Sequence, residues 1–201
     1  MLVLAADTSL PLLSVALLSD ADLDATLIGA LAFEGRGSRN EKLLPAIDWL
    51  LSENNIERGA IDLFAVTRGP GSFTGVRIGL ATMQGLAMAL GKKVCAMSTH
   101  EAAAFGEAGR VSVIDDAGRG EFYVSAFDDG REVTAPHLAA ARPEGRVIAL
   151  ADLVQHDNLA LRCARRALQI QQAGEGDRYR DVTPIYVRLA EAEVKLQQKN
   201  A

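Results

Sequence analysis

The sequence predicts an α/β chain made by duplication, and three observations carry that prediction. The first hundred residues order as βββαβαβ. The opening design, an apolar run closed by an acid at Met1-Leu2-Val3-Leu4-Ala5-Ala6-Asp7, returns as Val111-Ser112-Val113-Ile114-Asp115-Asp116. Finally, 49% hydrophobic and 23% charged residues in a chain of 201 give an ordinary globular balance, with enough length to bury a core without staples or metals.

Residues 2–6 form a short apolar run suited to a buried strand, and Leu12–Leu18 and Leu27–Phe33 follow as strands separated by polar or small-residue turns. Ser38 and Glu41 have the spacing of a capping box and announce a helix. Leu43, Leu44, Ile47, Leu50 and Leu51 continue it at helical spacing, while Pro45 removes an amide donor and should bend the first turns. Leu63–Thr67 reads as a buried strand, followed by a glycine-rich turn, a long helix ending near Gly91, and a strand at Lys93–Met97. After the restart at Val111, Phe122–Phe127 supplies a further strand. Residues 131–145 give an ambiguous signal, Leu159–Gln172 has helical composition, Gly174–Asp177 is a loop, and Ala190–Lys199 predicts a final amphipathic helix.

No apolar run approaches ~18 uninterrupted residues, so no membrane-spanning helix is expected. The N-terminus lacks a basic leader and meets an acid early, which reads as a cytoplasmic chain rather than a secreted one. The net charge of −5 argues against an autonomous nucleic-acid binder, so any RNA is expected to be held by another chain. Cys95 and Cys163 read as buried free thiols, with no zinc-type spacing around them. His100, His137 and His156 are too dispersed for a local metal pair, so no metal site is expected; a Ser-His-Asp triad, which is defined by geometry, stays open.

Two turns are candidates for chemistry. Asp7-Thr8-Ser9 follows the first strand, where a carboxylate could hold a metal-bound water and hydroxyls could cradle phosphate; the same residues also suit an ordinary turn. Gly69-Pro70-Gly71-Ser72 breaks the chain between a strand and a helix, leaving first-turn amides that attract anions. Asp7, Thr8, Ser9, Gly69, Gly71 and Ser72 are therefore the candidate nucleotide-binding set. The second turn has no Gly-Lys-Ser or Gly-Lys-Thr, and Ser72 lacks a Gly-x-Ser-x-Gly frame, so Ser72 reads as a helix cap and no catalytic residue is assigned. Asp115 to Tyr123 reads as a hairpin turn or as paired acids for a ligand, and Pro184-Ile185-Tyr186-Val187-Arg188 as a surface strand or an anchor for a nucleotide or partner.

The helix after that turn carries Gly75, Gly79 and Gly85, each costing about 1 kcal/mol relative to Ala, so close approach of other backbones is expected to compensate. Val76, Leu80, Met83, Ala87 and Leu90 form one apolar face, with Ile78, Leu86 and Met88 outside it and only a narrow polar stripe containing Arg77 and Gln84. A partner chain is inferred. The expected interface is Leu43, Leu44, Ile47 and Leu51 of the first helix with Phe73, Val76, Arg77, Gly79, Leu80, Met83, Gln84 and Leu86 of the second. A homodimer could use the same surface.

Taken together, Arg68-Gly69-Pro70-Gly71-Ser72-Phe73-Thr74-Gly75-Val76-Arg77-Ile78-Gly79, Asp7-Thr8-Ser9, the Glu41-Lys42-Leu43-Leu44-Pro45 helix start, residues 116–123 and Pro184–Arg188 resemble the TsaB (YeaZ) family over most of the chain. The resemblance implies an actin-like (ASKHA, ribonuclease H-like) duplicated fold of two subdomains, with mixed sheets flanked by helices. Residues 1–100 would form the N-terminal subdomain with the partner helices, 101–183 a smaller C-terminal subdomain, and 184–201 a terminal segment and helix packing back on the first. It also implies a non-catalytic role as partner and activator of a TsaD-type subunit, with a TsaE-type ATPase completing the assembly. That assembly forms N6-threonylcarbamoyladenosine at position 37 of tRNAs reading codons that begin with A. No intrinsic cofactor is implied; ATP or ADP would belong to the assembled complex. Gly118 stands where the family usually has Arg, and no histidine pair occupies Gln84–Ala89 as in the catalytic sister family. The competing expectation is an independent ATP-dependent phosphotransferase or a peptidase.

Overall fold

The structure is a computed structural model that describes residues 1–20, 25–34 and 39–188. Two mixed sheets organise it. The first has the order β3-β2-β1-β4-β5, from β1 (Leu2–Asp7), β2 (Leu12–Ser19), β3 (Thr26–Glu34), β4 (Leu63–Thr67) and β5 (Lys93–Met97). The meander β1–β2–β3 is antiparallel, whereas β4 and β5 run parallel to β1. The second sheet has the order β8-β7-β6-β9, from β6 (Arg110–Gly118), β7 (Glu121–Asp128), β8 (Arg131–Ala139) and β9 (Val147–Ala149). Its antiparallel β6–β7–β8 meander with β9 parallel to β6 repeats the first four positions of the first sheet. This is the duplicated actin-like, ribonuclease H-like fold, its second copy carrying four strands.

The inner strands β1, β2 and β4 of the first sheet are apolar with little alternation because both faces are covered. Along β1, Leu4 and Ala6 join a core with α1 (Arg39–Glu53) and α2 (Phe73–Leu90), while Val3 and Ala5 join a second core on the opposite face. β4 divides the same way, Phe64 and Val66 against Leu63 and Ala65. Pro45 lies within α1, which continues through it. Ser72 caps α2 by accepting from the Gly75 amide at 3.2 Å, and Gly91 ends the helix in the left-handed region, as expected from the sequence. The capping-box serine Ser38 and the helix expected at Ala190–Lys199 lie outside the described residues.

The second core shows how the halves are joined. Helix α5 (Leu159–Gln172) belongs by sequence to the second half, yet it covers the open face of the first sheet against β1, β2 and β4. Its buried stripe, Leu159, Ala160, Cys163, Ala164, Ala167, Leu168 and Ile170, is rich in small side chains that let the helix sit close to the strands. Asn158 caps it at 2.9 Å, and the Ala160 amide donates to Ser14 Oγ in β2 at 3.1 Å. Helix α5 of the 101–183 stretch therefore shares a core with the first sheet. Burial of one such leucine or isoleucine contributes about 1.5–3 kcal/mol, so the first sheet depends on a helix about a hundred residues downstream.

Among the described residues, α3 (Thr99–Ala104), β9, α4 (Leu150–His156) and two short 3-10 helices at Arg58–Ala60 and Gly176–Tyr179 were not legible in the sequence. Each is shorter than the windows over which periodicity speaks. The ambiguous stretch after residue 131 is β8, an edge strand whose first five residues are exposed. Cys95 and Cys163 are free and buried. Among the described residues, no helix is long and apolar enough to cross a membrane.

Candidate functional site

β1 and β4 are parallel neighbours, so the turns that follow them, Asp7-Thr8-Ser9 and Gly69–Ser72, emerge side by side at the carboxyl end of the sheet. Open α/β sheets commonly bind ligands there. Here the two turns fill each other's space. The Ser72 amide donates to Ser9 O at 2.7 Å, and Thr8 Oγ1 donates to Gly75 O at 2.6 Å. Gly71 has φ +151°, and a Cβ on it would lie 2.5 Å from Ser9 O; a Cβ on Gly79 would lie 2.4 Å from Thr8 Oγ1. α3 closes the third side: the Thr99 amide donates to Gly69 O at 2.8 Å, and Thr99 Oγ1 donates to Ser9 Oγ at 3.1 Å.

Asp7 sits at the centre. Its Oδ1 accepts from Thr67 Oγ1 (2.5 Å), Ser9 Oγ (2.5 Å) and the Ser9 amide (3.1 Å), while the buried Oδ2 has no partner. Burial raises the pKa of Asp7 above the ordinary carboxylate value, and the bonds from Ser9 and Thr67 offset part of that rise. Asp7, Thr8 and Ser9 are each 1% exposed. The structure brings the expected phosphate-cradle residues Asp7, Thr8, Ser9, Gly69, Gly71 and Ser72 together, with their hydroxyls and the Ser72 amide bonded within the chain and Gly69 and Gly71 against neighbouring backbone. Asp115, at the corresponding place on β6, is pushed up to about 6 by burial, with the charges of Asp116 and Asp7 adding to the rise. No group of three or more His, Cys, Asp or Glu side chains among the described residues is arranged to hold a metal.

A serine–histidine pair does exist, which the sequence left open. His100 on α3 places Nδ1 2.7 Å from Ser125 Oγ on β7. Both side chains are fully buried, and His100 Nε2 has no partner, so no carboxylate completes a triad and no substrate reaches the hydroxyl. Burial lowers the His100 pKa to about 3, helped by the charge of His137.

The expected partner surface is also redrawn. Leu43, Ile47, Leu51, Val76, Leu80 and Met83 lie in the core between the helices and the first sheet, and Gly79 is buried against Thr8. None of these offers a side chain to another molecule. Of the expected set, Leu44, Phe73 and Arg77 are exposed, and Gln84 and Leu86 are half-buried. The open face of α2 is instead Phe73, Thr74, Arg77, Ala81, Gly85, Met88 and Ala89, with Met88 74% exposed. Nothing lies within 4 Å of a Cβ placed on Gly85. Trp49, 52% exposed on α1, borders an apolar groove of about 390 Å³ lined by Leu31, Phe33, Glu41, Lys42, Pro45 and Ala46. At the start of α2, the Arg77 guanidinium lies 3.8 Å from the Phe73 ring centroid and donates from Nε to Tyr186 Oη at 2.6 Å; the Phe73 and Tyr186 rings are 4.8 Å apart. The exposed set was readable only as the complement of a core stripe, since apart from Thr74 and Arg77 its residues are small or apolar and periodicity alone cannot say which side is wet.

A family model described as "TsaD: tRNA N6-adenosine threonylcarbamoyltransferase" matches residues 37–168, more than half of the chain. An uncharacterized protein of Mycobacterium tuberculosis is 27% identical over 198 residues, covering 94% of this chain and 93% of its own length. The tRNA threonylcarbamoyladenosine biosynthesis protein TsaB of Bacillus subtilis is 35% identical over 130 residues, which is 63% of this chain and 55% of that protein. The solved structure of YeaZ from Pseudomonas aeruginosa superposes with a TM-score of 0.72 at 26% identity, covering 92% of this chain and 99% of that one. With the family model spanning the α1–α5 region, and with a YeaZ structure matching nearly end to end, the chain belongs to the TsaD family and, within it, to the TsaB (YeaZ) proteins.

Proposed function

We propose that this chain is the non-catalytic partner of a TsaD-type subunit in the formation of N6-threonylcarbamoyladenosine at position 37 of tRNAs reading codons that begin with A. It docks through the open faces of α1 and α2 and activates the transferase; a TsaE-type ATPase completes the assembly, and tRNA is met through the complex. One observation carries the reading: the turns that would hold a nucleotide are closed on one another, whereas Leu44, Trp49, Phe73 and Met88 stand exposed on the two helices. Exposed aromatics beside an arginine are the residue types that anchor interfaces. The net charge of −5 suits a subunit that leaves RNA contact to others.

Reconstitution tests this. Threonylcarbamoylation of tRNA is measured with the cognate TsaD and TsaE subunits in the presence and absence of this chain, alongside size-exclusion elution of each pair. Co-elution with TsaD and loss of modification when the chain is omitted are expected. Modification that proceeds equally without it overturns the proposal, as does magnesium-dependent ATP turnover by the isolated chain that vanishes in Asp7→Ala. Elution of the chain alone at twice its mass would show a homodimer.

A further inference from the structure

We infer that residues 181–188 are a latch that ties the two sheets together across the mouth between their turns. The segment has no helix or strand, yet it is fastened at intervals. On the first-sheet side, Arg68 Nη1 donates to Thr183 O at 3.1 Å and pairs with Asp181 at 3.0 Å. The Ile185 amide donates to Arg68 O at 2.7 Å, and Ile185 O passes so near Gly69 that a Cβ there would lie 2.9 Å away. Tyr186 stacks on Phe73 and accepts from Arg77. Two residues later the chain reaches the second sheet: Arg188 Nη1 donates to Ala117 O at 3.0 Å, and Nη2 pairs with Glu121 in the β6–β7 hairpin.

The crossing therefore joins the turn packed on Ser9 to the hairpin that begins two residues after Asp115. The fastenings are of a kind that opens before the core does. Arg188 and Glu121 are 27% and 36% exposed and Arg77 is exposed, and such pairs contribute about 1 kcal/mol or less each. Only Val182 joins the helix-side core, and as a partly buried member. Release of the latch would open the route by which water reaches the unpartnered Asp7 Oδ2 while β1, β4 and α5 stay folded. The latch rests on contacts within the chain, those of Tyr186 being to Phe73 and Arg77 of the proposed docking face, and amide exchange reads it without a partner.

Amide hydrogen exchange on the full chain, read by mass spectrometry, tests it with Tyr186→Ala, Arg188→Glu and the charge swap Arg188→Glu/Glu121→Arg. In the single variants, exchange in peptides covering residues 5–12 and 69–75 should rise roughly three- to tenfold while peptides from α5 stay at wild-type rates. The swap should bring the first two back toward wild type. Unchanged exchange in both single variants overturns the latch, and so does a rise shared equally by α5, which marks general destabilisation. Failure of the swap to recover protection counts against it as well.

Discussion

At the scale of single residues, the glycines of α2 separate into two kinds. Gly79 is required by contact, because a methyl group there meets Thr8 Oγ1 at 2.4 Å, whereas Gly85 faces open space. Gly79→Ala should therefore destabilise the fold by about 1–3 kcal/mol through overpacking. Gly85→Ala should be neutral or stabilise by up to about 1 kcal/mol through helix propensity. Urea midpoints measured on the two variants check the contrast, and equal effects would refute it. His100 makes a second residue-scale prediction. Its folded pKa of about 3 lies below the unfolded value of 6.5, so its stability is fully present above 6.5 and is lost as pH falls. Asp115 has the opposite sign: raised from 3.8 to about 6, it stabilises fully below 3.8 and loses that contribution as pH rises through 6. Between these limits the two oppose each other. Replacing His100 by Gln should steepen the loss of stability from pH 4 to pH 6 by up to about 1.4 kcal/mol per pH unit relative to wild type. Unfolding free energies at pH 4, 5 and 6 give the difference, and parallel profiles would rule the assignment out.

Among elements, α2 is the one whose two sides have different tasks. Val76, Leu80 and Met83 fix it to β4 and the rest of the first sheet, while Ala81, Gly85 and Met88 form an outer face free of large polar groups. Small residues there leave room for a second helix to approach closely. Met88→Glu should change stability by no more than about 0.5 kcal/mol because the position does not contribute to the core, and Gly85→Arg should be neutral or stabilise by up to about 1 kcal/mol through helix propensity. Both should abolish co-elution with the TsaD-type subunit. Leu80→Glu is the control on the other side: it places a charge in the core and should unfold the chain rather than act on binding selectively. If Met88→Glu and Gly85→Arg bind as wild type, the α2 face is not the docking surface.

At the scale of the molecule, the first sheet is completed from the second half. A fragment of residues 1–100 lacks α5, so Val3, Ala5, Leu63 and Ala65 lose the helix that covers them. Such a fragment should unfold without a sharp transition and bind a hydrophobic dye, whereas residues 1–188 should melt cooperatively; a sharply melting, dye-free fragment would contradict the shared core. Most strands, the three long helices and the duplication were legible in the sequence by itself, because burial leaves continuous apolar runs and polar or glycine residues mark helix ends. The family was legible too, since a long run such as Arg68–Gly79 is specific as text. Only the tertiary structure decided what those residues do. Sequence spacing lists Leu43, Val76 and Met88 alike as apolar, and the sheet alone determines which face is covered and which is left open. Likewise, Asp7 and Gly71 lie in separate turns of the sequence until β1 and β4 become neighbours, at which point the two turns pack and bond to one another.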